Sequence, residues 1–450
     1  MSEVTLKDES WQYDERVSAR VPEEHTHGWA NFLMIFIGMW TALVALGGGI
    51  TLGTQMSAST ASLGLLAGYI VCMIYGYFVG LVGVKERLCL YNLLGRPFST
   101  LGMTLPSIFV FLIAGTFIGV QADGVTRVIM TVAHVKEFSI IGPITNWGLI
   151  SAVLCAIMMI SAYKGIKYIG LVSWISMPIY IIFLAVVTIL SVKAYSGGLG
   201  AIWGATRENT ATFSDAMFMG VSLYAGFTGM MPDVSRFVKT KKDFTIAIVV
   251  GYLIASLIPI SGVIMGAAFP GLEYWEIFGM FGPAMGIFAC IALFFTQWTT
   301  NDNNAFSSGL ALANATEGLN PKIPAIPVLT RTKATIVPIV MGVVFAGLGA
   351  GATAPLLNAV SALGSWLPPM SGVFLGHFYI VERGGKQVYA KGLAALLSWI
   401  IVSILVHTGK LPLPAISGVI GGLILYVILY YVVELPLLGT RKETQAASAS

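Results

Sequence analysis

Apolar runs about as long as a bilayer is thick recur along this chain, and their recurrence limits its fold more than any other feature. A helix needs about 20 apolar residues to cross hydrocarbon. Such runs fall at 29–53, 58–84, 101–132, 147–163, 168–192, 213–231, 244–269, 277–314, 336–350, 356–381, 392–407 and 416–433. The expected fold is an all-α polytopic membrane protein with twelve transmembrane helices. Composition points the same way, with 56% hydrophobic and only 10% charged residues, where a soluble globule carries about a quarter charged. Residues 1–28 are polar and mixed in charge, which reads as a cytoplasmic tail and not as a signal peptide.

Basic residues give the count an independent test, because cytoplasmic loops hold the Lys and Arg excess. With twelve alternating helices and the N-terminus inside, 20 of the 25 Lys and Arg residues fall on the inner side. Only Arg127, Lys136, Lys193, Arg207 and Lys410 fall outside, so both termini are expected in the cytoplasm. The net charge of +4 comes from these loops and carries no signal for nucleic acid. Cys72, Cys89, Cys155 and Cys290 lack ligand spacing and read as packing residues. Neither a P-loop nor an HExxH or GxSxG motif occurs, so ATP-driven pumps and membrane enzymes gain no support.

One polar run interrupts this pattern. Thr296-Gln297-Trp298-Thr299-Thr300-Asn301-Asp302-Asn303-Asn304 follows the apolar stretch 282–295 and precedes small, apolar residues at 305–315. Unpaired polar groups at membrane depth cost roughly 2–7 kcal/mol each, so such a run marks a functional site. Two glycine clusters add to it: Gly38 with Gly47-Gly48-Gly49 in the first run, and Gly226 and Gly229 within Tyr224-Ala225-Gly226-Phe227-Thr228-Gly229 in the sixth. Glycines let backbone carbonyls leave the helical ladder, or let helices pack closely. Lying five helices apart, the clusters fit a transporter whose broken helices meet at the midplane.

These residues resemble the nucleobase:cation symporter-1 family, and within it most closely the bacterial cytosine permeases. The resemblance rests on Trp298-Thr299-Thr300-Asn301-Asp302-Asn303 with Ser308-Gly309-Leu310, on Asp233-x-x-Arg236-Phe237, on Thr51-Leu52-Gly53-Thr54 and on Pro368-Pro369-x-x-Gly372. It implies a leucine-transporter-type core of five plus five helices in inverted repeat with two additional helices, and alternating-access import of a flat nucleobase driven by a cation. On that reading the chain divides into a tail (1–28), a first repeat (29–195), a second repeat (196–383), two extra helices (384–433) and a C-terminal tail (434–450). A monomer in the bacterial inner membrane, embedded in lipid, is expected.

Carried onto this chain, the resemblance makes Thr299 and Thr300 the hydroxyl ligands of a sodium site, completed by backbone carbonyls near Gly38 and Ala42; no organic cofactor is implied. Asn301 becomes an amide for the substrate, although a helix-to-helix hydrogen bond would also suit it. Asp233 and Arg236 become an inner gate or a helix cap. The pocket departs from the cytosine pattern: Gln297 replaces an Asn, Phe117 and Val120 stand where a Gln and a Trp are usual, and Tyr224, Ala225 and Gly226 replace a serine-rich segment. Phe117 and Gln121, four apart, share a helix face, and Tyr224 is a stacking candidate. These departures leave hydroxymethylpyrimidine, a hydantoin or allantoin as alternative substrates. Proton coupling, and a channel-like facilitator with the same hydropathy, also remain open.

Overall fold

The computed structural model describes residues 20–205, 210–349, 353–383 and 386–437, with side chains described throughout except at 353–359. Most of the N-terminal tail, the C-terminal residues 438–450 and Arg207 lie outside the described residues. Among the described residues eighteen α-helices follow one another: α1 (Trp29–Trp40), α2 (Leu43–Gln55), α3 (Ala58–Glu86), α4 (Leu90–Gly102), α5 (Thr104–Val132), α6 (Asn146–Met158), α7 (Ile160–Lys164), α8 (Ile166–Ala194), α9 (Gly198–Gly204), α10 (Phe213–Gly229), α11 (Met231–Ser235), α12 (Lys241–Ala268), α13 (Tyr274–Met280), α14 (Pro283–Leu319), α15 (Arg331–Gly347), α16 (Thr353–Gly376), α17 (Leu393–His407) and α18 (Pro414–Leu429). Each of the twelve apolar runs holds a helix. Among the described residues seven spans are long and apolar enough to cross a membrane, and α1 with α2, bent by 53°, makes an eighth. At the other four positions α10, α15 and α17 have 17, 17 and 15 residues, and α16 lies partly outside the residues with described side chains. The expected count of twelve is thus not reached by length and composition alone.

A hairpin and several helices, α4 the longest of them, fall outside the apolar runs. Between α5 and α6 a small hairpin pairs β1 (Ser139–Ile141) with β2 (Ile144–Thr145) in antiparallel register. The β-branched Ile140 and Ile141 favour extended backbone, and Gly142 turns the chain at φ +56°. The helix α4 lies ahead of the third run and kinks at Ser99, beside Pro97.

The first break falls between Gly38 and Gly47-Gly48-Gly49, on neither. α1 stops at Trp40, Thr41 and Ala42 leave the helical ladder, and α2 begins at Leu43. Gly49 and Gly53 instead pack helices: a Cβ at Gly49 would lie 2.0 Å from Pro259 O, and one at Gly53 2.3 Å from Val263 O. Only glycine lets α2 lie this close to α12. In the sixth segment α10 ends at Gly229 and the short α11 follows after Met230. Both interrupted segments meet at the centre, where α2 and α1 touch α10, while α5 runs along α14.

Candidate functional site

The polar run sits inside α14, which passes through it unbroken from Pro283 to Leu319. Of residues 296–304 only Trp298 is part-exposed; the rest are buried. Their groups must therefore look to protein for partners, and Gln297, Thr299 and Thr300 find them on the broken α1–α2 segment. Thr299 Oγ1 and Thr300 Oγ1 donate to Gly38 O at 3.2 and 2.9 Å, and Thr41 Oγ1 donates to the same carbonyl at 3.0 Å. Both α14 hydroxyls also lie within reach of Thr296 O, at 3.0 and 3.2 Å. The hydroxyl oxygens of Thr41 and Thr300 are 3.5 Å apart.

Two carbonyls and three hydroxyls thus converge where α1 unwinds. An uncharged, all-oxygen donor set suits a hard monovalent cation, and a break in a helix frees the carbonyls such a site needs. Among the described residues no group of three or more His, Cys, Asp or Glu is placed to hold a metal. The structure brings Thr299, Thr300 and Gly38 together. Ala42 does not join them: its carbonyl accepts from Ala45 N at 2.9 Å in the first turn of α2, and Thr41, unmarked in the sequence reading, takes that place.

Gln297 corrects a second expectation. Its Oε1 accepts from Leu43 N at 3.1 Å and its Nε2 donates to Thr41 O at 3.0 Å. Both ends of the amide are spent on the two backbone groups that the break would otherwise leave unpaired, an obligation that is strict away from water. Gln297 is therefore a clamp on the unwound segment and not a wall of the pocket.

The pocket itself lies between the break, α5, α10, α14 and α16. Phe117 and Gln121 face it from α5, Gly226 and Phe227 from α10, Asn304 from α14, and Ala42 from the break, with Leu363 and Leu367 of α16 closing one side. Gln121 Oε1 and Asn304 Nδ2 are buried and find no hydrogen-bond partner among the described residues. An acceptor and a donor are thus presented between aromatic walls. Ala225 is buried within α10 beside the lining Gly226.

Tyr224 and Asn301 are placed elsewhere. The Tyr224 hydroxyl lies 3.1 Å from Trp40 O and 3.2 Å from Ala255 O, and its ring packs edge-on against Tyr69 with centroids 4.5 Å apart. It braces the end of α1 against α3 and α12. Asn301 Nδ2 donates to Ile118 O at 3.1 Å and lies 3.7 Å from Met158 Sδ; its Oδ1 has no partner among the described residues. The helical period could have found Asn304: it follows Gln297 by seven residues, two turns on the same face, and that face looks at the break. Phe227 and the α16 leucines carry no sequence signal of their own.

At the basic end of the bundle Asp233 and Arg236 are fully buried. Asp233 Oδ1 accepts from Leu90 N at 2.9 Å, so it caps α4 and not α12, the next long helix. Arg236 Nε donates to Asp233 O at 3.2 Å, and its guanidinium stands 4.9 Å over the Phe237 ring. Arg87 ties the same loop by donating to Val238 O and Lys239 O. At the opposite end Asp123 pairs with Arg127 at 3.1 Å, and Arg127 stacks over Trp275 of α13. His377 is held by Tyr426 and Val388 O at 2.7 and 3.0 Å.

Comparison with known proteins agrees with this architecture. A family model described as permease for cytosine/purines, uracil, thiamine, allantoin matches residues 20–394. The cytosine permeases of Escherichia coli O157:H7 and Escherichia coli strain K12 are each 25% identical over 415 residues, covering 91% of this chain and 92% of theirs. Mhp1, a nucleobase-cation-symport-1 family transporter solved in a closed conformation with bromovinylhydantoin bound, superposes with a TM-score of 0.72 at 17% identity, over 92% of this chain and 93% of its own. A Na+-coupled sialic acid symporter, in a substrate-bound outward-open state, does so with a TM-score of 0.62 at 14% identity, over 96% and 93%. At these identities the structural likeness concerns the fold, which is the leucine-transporter type that the resemblance implied. The chain is a multi-pass membrane transporter and belongs to the family of permeases for cytosine and purines, uracil, thiamine and allantoin.

Proposed function

We propose that the protein imports a nucleobase or closely related heterocycle by sodium symport with alternating access. The observation that carries this reading is the pair of unpartnered amide atoms in the pocket, Gln121 Oε1 and Asn304 Nδ2, between Phe117 and Phe227. Leaving a buried donor or acceptor unpaired costs about 1–3 kcal/mol, a cost a ligand recovers if it brings the complementary groups. A ring N–H next to a ring carbonyl supplies both at once, on one edge of a flat molecule whose faces suit aromatic walls. Uracil and allantoin, named in the family description, and the hydantoin seen in Mhp1 all contain that edge.

Sodium is supported by the oxygen cluster at Gly38, Thr41, Thr296, Thr299 and Thr300, a hard donor set adjoining the pocket. When bound there, the ion would supply positive charge to the unwound carbonyls and hold α1 to α14. Both termini are proposed to lie in the cytoplasm, on the face that holds the basic residues, and the working unit is proposed to be a monomer. The test is uptake of labelled uracil, cytosine, a purine, allantoin and hydantoin into proteoliposomes, with an inward sodium gradient or with choline in its place. Saturable, sodium-gradient-dependent accumulation of one of them is expected. Accumulation driven by a proton gradient alone would move the coupling away from the threonine cluster, and non-saturating, gradient-independent flux would indicate a channel.

A further inference from the structure

At the basic end of the molecule a wide groove opens between the ends of α3 and α16 and the start of α12. One wall is aliphatic and aromatic, with Leu81, Val84 and Phe378. The rim is cationic, formed by Lys85 of α3, Lys241 of α12 and Arg383 after α16, with Arg20 at its edge. The groove also holds two carboxylates, but both are spent: Glu86 and Glu382 bind the two sides of the Arg96 guanidinium at 2.5 and 3.0 Å, and Glu86 also meets Arg20 at 3.6 Å. Among the described residues no carboxylate lies within ion-pair distance of Lys85, Lys241 or Arg383.

We propose that this groove binds the headgroup of an anionic phospholipid, with the acyl chains lying along the outer face of α3. Charge complementarity selects the anion, since three unneutralised cations converge from three separate elements. The surface leading into the groove selects a lipid over a soluble anion. On α3 the exposed residues Ile70, Ile74 and Phe78, spaced four apart on one face, are 46%, 54% and 43% exposed. That stripe runs straight into Leu81 and ends at Lys85, an apolar track finishing in a cation at the membrane interface. Tyr379 of the π-helical turn His377–Val381 that follows α16, 41% exposed, lies against Phe78 and extends the same apolar surface. Basic pockets between helices at a cytoplasmic surface have this composition when they hold lipid phosphates.

Since Lys241 begins a helix that packs on α2, while Arg383 follows α16, the lipid would join the broken-helix region to its surroundings. The test uses the full-length protein in detergent and compares its melting temperature on titration with phosphatidylglycerol, phosphatidylcholine or inorganic phosphate. Phosphatidylglycerol is expected to stabilise and the other two are not. A triple variant Lys85→Gln, Lys241→Gln, Arg383→Gln should need at least about tenfold more phosphatidylglycerol for half the effect. A control variant, Lys167→Gln, Lys322→Gln, Lys333→Gln, removes three exposed cations elsewhere and should respond like the unmodified protein. Retention of a substrate-induced shift reports that both variants are folded. Equal lipid responses in the two variants, equal stabilisation by phosphatidylcholine, or full stabilisation by inorganic phosphate would each overturn the proposal. If the triple variant does not fold, brominated phosphatidylglycerol quenching of a tryptophan placed at Leu81 decides instead, with quenching by brominated phosphatidylcholine of equal strength counting against the site.

Discussion

Gly38 shows how little room the contact between α1 and α14 leaves. A methyl on its Cα would come within 2.9 Å of Thr299 Oγ1 and 3.1 Å of Ser173 Oγ, so the helices must part or the hydroxyl must swing away. Gly38→Ala is expected to weaken the sodium stimulation of uptake while leaving weak sodium-independent binding; a sodium titration indistinguishable from the unmodified protein would place the ion elsewhere. The two asparagines of α14 allow a sharper contrast. Asn304 Nδ2 faces the pocket without a partner, whereas Asn301 Nδ2 is committed to Ile118 O. Asn304→Ala should therefore cost roughly 1–3 kcal/mol of substrate affinity, and Asn301→Ala should act mainly on thermal stability. Equilibrium binding and melting temperature, measured on both variants, decide: loss of binding in Asn301→Ala at an unchanged melting temperature would reverse the roles.

Among the elements, the α1–α2 break depends on a side chain from another helix. Replacing Gln297 by Leu keeps approximate bulk but leaves Leu43 N and Thr41 O without their partners, at about 1–3 kcal/mol for each buried group. A lower melting temperature and weaker sodium response are expected together, and Gln297→Glu, which keeps one acceptor for Leu43 N, should recover part of the loss. A second tie joins α3, α4 and the turn after α16 through Glu86, Arg96 and Glu382. Burial works to raise the Glu382 carboxyl, but hydrogen bonds from His377 and Val388 N and the Arg96 charge outweigh it, and the net shift is downward from 4.5. A lowered acid contributes stability that is present above its ordinary value and lost as the pH falls through its folded value, so acid destabilisation should set in below about pH 4.5 and be shallower in Glu382→Gln. The sequence made the helices and the threonine–carbonyl cluster legible, because hydropathy and a specific motif carry them. It misplaced Gln297, Tyr224 and Ala42, since which face of a helix meets a break depends on where the break falls. That position is set by contacts such as Gln297 to Thr41, remote in the chain, and of the glycines that suggested it Gly49 serves instead to bring α2 against α12.

At the scale of the whole molecule, the ion cluster and the pocket share one piece of backbone. Thr41 contributes its hydroxyl to the oxygen cluster and its carbonyl to Gln297, and the next residue, Ala42, lines the pocket. On the other side Thr300 meets Gly38 O, and Asn304 faces the pocket one turn further along α14. An ion holding Gly38 to Thr300 would thus fix the break that places Ala42 and the helix turn that presents Asn304 to the pocket, and the two sites should be linked thermodynamically. Reciprocity then requires sodium to raise substrate affinity by the same factor by which substrate raises sodium affinity, typically about 5–150-fold for a coupling of roughly 1–3 kcal/mol. The double variant Thr299→Val, Thr300→Val removes two oxygens at nearly constant shape, though not at constant polarity. It is expected to bind substrate weakly and equally in sodium and in choline. Isothermal titration of the substrate at several sodium concentrations, and of sodium with and without substrate, measures both factors. Unequal factors in the unmodified protein would mean that the two titrations do not report one coupled equilibrium, and a full sodium-dependent gain in the double variant would mean that the coupling ion is held by groups other than these threonines.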